Sequence, residues 1–117
     1  MKILFKSRED LTKSEIYRMT KNAEIEQMKN VEDREILEVS AYIKFEDTNA
    51  NGETNTINSI LTTDGRAIAF QSKTFAKSLE DIAEIMTEGE WNTPFSIIKI
   101  SGKAKNGRDF INCALAY

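Results

Sequence analysis

At 117 residues the chain has the size of one ordinary domain, so we expect a single domain over residues 1–117 with one hydrophobic core. It contains no histidine, which removes the commonest general base and the commonest zinc ligand and disfavours most enzyme classes. The net charge of −3 disfavours a protein that coats duplex DNA through overall positive charge, although it leaves room for a local basic surface.

The amino-terminal residues and the cysteine content predict a cellular location. The apolar stretch at residues 3–5 is short and charged residues follow it at once, and no later run is long enough to cross a bilayer. We therefore expect no signal peptide, no membrane contact and a cytoplasmic protein. The single cysteine, Cys113, cannot form an intramolecular disulfide and fits a reducing compartment as a small core residue.

Residues 1–34 predict a short helix followed by an extended connection. Thr12 and Glu15 have the spacing of a capping box, and the apolar residues that follow continue to about Thr20. Residues 21–34 are mostly polar, which is typical of a connection that lies over the edge of a core. We treat this segment as an addition to the main fold.

Residues 35–47 alternate strictly between apolar and polar side chains, which is typical of a long strand with one face in water. Tyr42 and Lys44 belong to the polar set. The apolar set comprises Leu37, Val39, Ala41, Ile43 and Phe45.

Two turns divide the next segment into further strands. Asn51-Gly52 leads into a run over residues 54–63, and Asp64-Gly65 leads into a third run over residues 66–71. The sequence therefore predicts a meander of three strands.

A second helix follows the meander. Ser72 is a suitable N-cap, the next apolar residues recur at helical spacing, and Gly89 is a suitable stop. The apolar positions are Phe75, Leu79, Ile82 and Met86. Its carboxylates, including Glu80, fall on the outward face and are expected to solvate the helix.

The last part of the chain reads as a hairpin. Pro94 precedes a strand over residues 95–103, and Asn106-Gly107 is the strongest short-range signal for a two-residue type I′ turn into a strand over residues 108–116. Such a turn would set Lys103 opposite Phe110 and Lys99 opposite Ala114 on one cationic face. The other, core-facing side would hold Ile98, Ile100, Ile111, Cys113 and Leu115.

The order of elements predicts the fold class. Three strands, a helix and two strands match the five-stranded Greek-key barrel of the OB-fold, whose helix lies between the third and fourth strands. The predicted class is therefore a mainly β, OB-fold-like barrel with an extra N-terminal helix. A different β-barrel or an α+β sandwich could use the same order.

A basic surface that contains an aromatic ring suits single-stranded nucleic acid, because lysine and arginine neutralise phosphates while a ring stacks on any base. In an OB barrel the wet faces of the second and third strands and two loops form the usual oligonucleotide surface. The candidate contacts are Tyr42, Lys44, Arg66, Phe70, Lys99, Lys103, Lys105, Arg108 and Phe110. The alternative is that these are ordinary solvated strand residues, with the rings buried against the N-terminal segment. Trp91 is expected to plug the end of the barrel.

Metal binding is not expected. Residues 47–53 imitate the beginning of a calcium loop, but Asn58 stands where the bidentate glutamate should be and the flanks read as strands. We expect no cofactor, no metal and no catalytic residues.

Several short motifs in order resemble a known family over nearly the whole chain. They are Ser7-Arg8-Glu9-Asp10-Leu11-Thr12, Met19-Thr20-Lys21, Ser59-Ile60-Leu61-Thr62-Thr63-Asp64-Gly65, Ser72-Lys73-Thr74-Phe75 and the hairpin Gly102-Lys103-Ala104-Lys105-Asn106-Gly107-Arg108-Asp109-Phe110. With these motifs the chain resembles the small single-stranded DNA-binding proteins of bacteriophages and mobile elements of Gram-positive bacteria. The resemblance implies an OB-type barrel that coats replication intermediates, with Lys103, Lys105, Arg108 and Phe110 as contacts. The segment 49–58 departs from it, being richer in asparagine.

Together these patterns predict a sequence-independent single-stranded DNA-binding protein that protects replication or recombination intermediates in the host cytoplasm. Its partners would be single-stranded DNA and replication proteins, and an exposed edge or the N-terminal segment could support homo-oligomers. The alternative is an OB-like interaction, accessory or inhibitor module whose basic hairpin docks on an acidic partner.

Overall fold

The computed structural model describes residues 1–117 as one mixed β-sheet with two α-helices and a short 3₁₀ turn. The elements are β1 (Lys2–Lys6), α1 (Lys13–Thr20), β2 (Glu26–Gln27), the 3₁₀ turn (Met28–Asn30), β3 (Ile36–Thr48), β4 (Thr54–Thr62), β5 (Ala67–Phe70), α2 (Lys73–Thr87), β6 (Phe95–Lys103) and β7 (Asp109–Leu115). Neither helix has the length and apolar composition needed to span a bilayer.

The strand order confirms the predicted OB-like class. Along the sheet the strands lie in the order β2-β5-β4-β3-β6-β7, and α2 connects β5 to β6. The sheet is curled, but no backbone ladder joins β5 to β7. It is therefore an open half-barrel and not a closed barrel. The strand count differs from the expected five, since β1 and β2 are additional.

The long strand β3 organises the sheet. One of its edges pairs with β4, and its other edge pairs with β6 through residues 36–39 and with β1 through residues 43–46. Strand β1 was not predicted, because residues 2–6 are too few to show an alternation. The predicted helix α1 is confirmed, and Thr12 and Glu15 form the expected capping box: the backbone N–H of each donates to the other's side chain, at 2.9 and 3.1 Å.

A β-bulge at Ser40 reverses the faces of β3. Val39 pairs with Thr62 and Ala41 pairs with Leu61, so Ser40 is the extra residue. Before the bulge the odd-numbered residues face the main core, and after it Tyr42 does. The later odd-numbered residues Ala41, Ile43 and Phe45 face α1 instead. The prediction of one wet face on this strand was therefore wrong.

Two hydrophobic cores lie on opposite faces of the sheet. The larger core packs Phe75 and Leu79 of α2 against the inner face of the half-barrel. Trp91 is buried there, as predicted, with its ring 5.4 Å from Phe95. The smaller core packs Leu11 and Met19 of the α1 segment against β3 and β4. Because α1 covers the second face, that face of β4 and β5 is not the open oligonucleotide surface that the sequence predicted.

Candidate nucleic-acid interface

The β6–β7 turn lies where the sequence predicted it but has a different geometry. The N–H of Ala104 donates to the Arg108 carbonyl, and the N–H of Gly107 donates to the Ala104 carbonyl, both at 2.9 Å. Gly107 has φ +82°, whereas Asn106 does not adopt a positive φ. This is a three-residue loop that ends in a left-handed glycine, not the expected type I′ turn.

The extra loop residue shifts the hairpin register by one position. Gly102 pairs with Phe110 and Lys103 pairs with Asp109, so Lys103 and Phe110 lie on opposite faces of the ribbon. On β6 the core-facing residues are Phe95, Ile97 and Lys99, while Ile98 and Ile100 are only half-buried. The predicted inward placement of Ile98 and Ile100 was wrong, because isoleucines occupy both faces of this strand and periodicity alone could not choose between them.

Lys99 is buried at the base of the hairpin, with 2% of its surface exposed. Its Nζ donates to the Val31 carbonyl at 2.5 Å, and its backbone exchanges hydrogen bonds with Arg34 and Glu35. These contacts hold residues 31–35 against β6. The prediction that Lys99 lies on a wet face and contacts phosphate was wrong.

Cys113, opposite Lys99 on β7, is buried as predicted. Burial raises the pKa of its thiol to about 12, so it stays protonated at neutral pH. The residue therefore packs as a small apolar side chain.

Phe110 lies over Gly102 on the outer face of the hairpin. A Cβ at position 102 would stand 2.7 Å from the Phe110 Cζ and 2.9 Å from its Cε1, so only glycine permits this position of the ring. Phe110 remains 41% exposed. The glycine thus supports the ring from below while the other side of the ring stays open to solvent.

The same ribbon carries three exposed cations, with Lys103 on the face opposite Phe110 and the other two at the tip. Lys105 and Arg108, at the tip, are exposed and form no salt bridge. Lys103 pairs with Asp109 at 3.0 Å, and both side chains are well exposed. Such a pair contributes little stability and can exchange for a phosphate.

A cleft of about 830 Å³, here called the hairpin groove, separates the hairpin from the 3₁₀ turn and the start of α2. Lys29 lies on one side of it and Lys103 on the other, with Ser72 at the end of the cleft nearest α2. The full lining is Lys29, Asn30, Ser72, Ser101, Gly102, Lys103, Asp109, Phe110 and Ile111.

Tyr42 is fully buried, so its prediction as an exposed stacking ring was wrong. The bulge at Ser40 turns it into the main core, where it stacks on Trp91 with ring centroids 5.6 Å apart. Its hydroxyl donates to Asn58 Oδ1 at 2.6 Å and lies 3.4 Å from Glu80 Oε1. Burial raises the pKa of Tyr42, and the carboxylate of Glu80 raises it further.

Lys44 emerges beside this buried network and away from the hairpin. Its Nζ lies 3.2 Å from Glu80 Oε1. It remains partly exposed in a separate groove between the β3–β4 ribbon and α2.

Phe70 and Arg66 on β5 and its preceding turn are not available to a ligand. Phe70 is buried, with its ring 4.5 Å from that of Phe75. Arg66 forms a bidentate pair with Glu26, at 2.8 and 3.0 Å, and a further pair with Glu35 at 2.6 Å. The hydrogen bonds that Arg66 donates to these two carboxylates raise its pKa. The predictions of Phe70 as a stacking ring and of Arg66 as a free phosphate contact were wrong.

The structure thus brings four of the predicted contacts together on the hairpin: Lys103, Lys105, Arg108 and Phe110. Sequence reasoning missed Lys29 and Ser72. No local pattern identifies Lys29, because the 3₁₀ turn is held beside the hairpin by contacts such as the Lys99–Val31 bond, 68 residues apart in sequence. A projecting ribbon with cations and an open ring can hold phosphates and stack a base.

Comparison with known proteins identifies one family. The family model described as phage single-stranded DNA-binding protein, of the Phi29 type, matches residues 2–116. The curated proteins and the solved structures gave no match.

Proposed function

The chain belongs to the phage single-stranded DNA-binding protein family, and we propose that it binds single-stranded DNA without sequence preference through the β6–β7 hairpin and the hairpin groove. By occluding the strand it protects replication or recombination intermediates. The observation that carries this proposal is that one exposed ribbon holds three cations, Lys103, Lys105 and Arg108, together with the open ring of Phe110.

Each part of the hairpin has a separate role in this binding. Lys105 and Arg108 meet phosphates without first losing a carboxylate partner, and Lys103 exchanges Asp109 for a phosphate. Phe110 stacks on a base, which every nucleobase permits because each has a flat π-face. Lys29 faces the strand from the opposite side of the hairpin groove.

The net charge of the chain supports a local rather than an overall attraction. The chain is acidic as a whole, with a net charge of −3, so its overall charge does not attract DNA. The exposed, unpaired cations of the hairpin attract phosphates locally. This arrangement favours binding of the strand along a defined path that begins at the hairpin.

The proposal is tested by titrating oligo-dT into the protein at two or more salt concentrations. We expect log K to fall linearly with log salt, with a slope of about −0.7 for each phosphate neutralised. Affinity that is indifferent to salt would contradict the proposal. Homopolymers of different bases should bind with similar affinity.

An acidic protein partner would bind the same cations but has no nucleobase to stack on the ring of Phe110. Inorganic polyphosphate therefore serves as a matched probe that carries charge without bases. We expect oligo-dT to bind more tightly than polyphosphate at equal charge, and to lose that advantage in Phe110→Ala. Equal binding of both probes by the native protein would favour the alternative of an acidic partner.

A further inference from the structure

A second polar groove lies next to the hairpin groove, on the other side of the β5–α2 junction. It has a volume of about 530 Å³ and lies between the β3–β4 ribbon and the first turns of α2. We infer that DNA bound at the hairpin continues across residues 71–73 into this groove. The inference rests on the proposed function and extends it by giving the course of the strand on the protein.

Three consecutive residues show that the two grooves are adjacent. Ser72 lines the hairpin groove, whereas Gln71 and Lys73 line the second groove. Consecutive Cα atoms are about 3.8 Å apart, so the two grooves share a wall only one residue thick. A strand that leaves the hairpin groove over Ser72 therefore reaches the second groove within one residue's width.

The lysines of the second groove match a phosphate backbone. Lys73 is exposed and forms no salt bridge. Lys77 pairs with Asp81 at 2.6 Å on the exposed surface of α2, and Lys44 pairs with Glu80 at 3.2 Å. One amine is thus immediately available, and two others are held by pairs that phosphate can replace.

The β4 side of the groove supplies neutral hydrogen-bonding groups. Thr54, Asn55 and Thr56 line it, followed by Asn58, whose Oδ1 accepts from Tyr42. Asn58 is buried and its amide is hydrogen-bonded within the protein, whereas the hydroxyl and amide groups at 54–56 are of the kind that contact phosphates, sugars and base edges. They belong to the asparagine-rich segment 49–58 that departs from the family resemblance, so the path gives this segment a role.

Other routes from the hairpin are less favourable. The far face of β4 and β5 is covered by α1 and the residues just before it, where Leu11 and Met19 are buried. The cation near that edge, Arg66, is occupied by Glu26 and Glu35. The later turns of α2 carry Asp81 and Glu84, and Glu88 follows the end of the helix; these carboxylates repel a phosphate chain. The path beginning at Lys73 is the one that combines amines with neutral donors.

The test compares Lys73→Gln/Lys77→Gln with two matched double variants of the full chain. Lys105→Gln/Arg108→Gln removes the hairpin tip charges, and Lys2→Gln/Lys13→Gln removes two exposed lysines of β1 and α1 that form no salt bridge. Glutamine suits the helical positions, and circular dichroism and Tm check that each variant is folded.

We measure oligo-dT affinity against length and salt. For long oligo-dT we expect the Lys73→Gln/Lys77→Gln variant to lose about 0.7 to 1.4 of the salt slope, corresponding to one or two phosphate contacts. Its affinity should stop increasing at a shorter oligonucleotide length than that of the native protein. The Lys2→Gln/Lys13→Gln control should match the native protein in both measurements.

The outcomes separate this inference from the proposed function. Native slope and length dependence in Lys73→Gln/Lys77→Gln, with weakened binding in Lys105→Gln/Arg108→Gln, would overturn the path and leave the hairpin function standing. Native binding in both variants would overturn the proposed function as well.

If the Lys73→Gln/Lys77→Gln variant fails to fold, hydrogen exchange of the native protein tests the path instead. Protection of residues 54–58 and 71–77 by long but not short oligo-dT supports the path, and equal protection with both lengths overturns it.

Discussion

The tip and the base of the β6–β7 hairpin carry the same type of side chain in opposite environments. Lys105 at the tip is exposed and has no carboxylate partner, whereas Lys99 at the base is buried and donates to a backbone carbonyl. Both were predicted as phosphate contacts. A strand pattern can therefore identify cationic side chains. Whether such a side chain remains accessible to DNA depends on which other segments of the chain pack against it.

The two predicted arginines repeat this contrast. Arg108 lies on the open ribbon, whereas Arg66 is enclosed by Glu26 from β2 and Glu35 from the segment before β3. Neither carboxylate is near Arg66 in sequence. A positive residue on a predicted strand therefore becomes a binding residue only if no acidic segment folds over it.

Replacing Lys99 tests whether the base of the hairpin serves stability and not DNA binding, and it should have the largest effect on stability. Lys99→Ala removes a buried side chain and should lower the free energy of unfolding by roughly 2 to 5 kcal/mol, measured by urea denaturation. Lys99→Met keeps much of the volume and should retain more stability. Both folded variants should bind oligo-dT like the native protein. If a folded Lys99→Met variant bound oligo-dT as weakly as Lys105→Gln/Arg108→Gln, the base of the hairpin would be a DNA contact and the contrast would not hold.

Phe110→Ala tests whether the exposed tip of the hairpin is the part that binds DNA. We expect oligo-dT affinity to fall by about 1 to 3 kcal/mol, or roughly 5- to 150-fold, because one stacked base is lost. Fluorescence anisotropy of labelled oligo-dT measures the change. Phe110→Tyr keeps the ring and serves as the control, which should stay near native affinity. Equal loss in both variants would show that the effect comes from the local fold.

The sequence predicted elements better than faces. The periodicity of Phe75 and Leu79 identified α2, and the Asn106-Gly107 pair located the hairpin. The bulge at Ser40 and the one-residue change in the hairpin loop were not predictable, since each is a single insertion whose position depends on the partner strand. The bulge turns Tyr42 into the core, and the loop change places Lys103 and Phe110 on opposite faces of the ribbon.

The ion pairs of Arg66 also could not be predicted from local sequence patterns. Glu26 and Glu35 belong to a polar connection whose course over the sheet depends on long-range packing. Four predicted contacts meet on the hairpin because a ribbon that projects from the body has few neighbours to bury it. Predictions for such ribbons are therefore safer than predictions for central strands.

Arg66→Ala tests the captured arginine and should change stability while leaving DNA binding intact. We expect a loss of about 1 kcal/mol in the free energy of unfolding at neutral pH, since the pairs are partly exposed. Oligo-dT affinity should remain within about twofold. A clear loss of affinity without loss of stability would mean that Arg66 exchanges its carboxylates for phosphate.

The same variant should alter the response to acid. Hydrogen bonds from Arg66 lower the pKa of Glu26 below its ordinary value of 4.5. Because the pKa is lower in the folded state, this contribution is complete above the unfolded-state pKa and is lost as pH falls through the folded-state pKa. Arg66→Ala should therefore lose less stability than the native protein between neutral pH and acid, as measured by urea denaturation at each pH.

Gly102→Ala is the smallest change and tests whether the position of the ring matters. The new Cβ would meet the far end of Phe110, which can swing aside, so stability should change by less than about 1 kcal/mol. Oligo-dT affinity should fall by less than in Phe110→Ala, because the ring is displaced but present. In a Phe110→Ala background the alanine at position 102 should have no further effect, since its effect acts through the ring. If the double variant lost the sum of the two single effects, the alanine would act independently of the ring. Gly102 would then contact DNA through its own backbone, and a side chain at this position would block that contact.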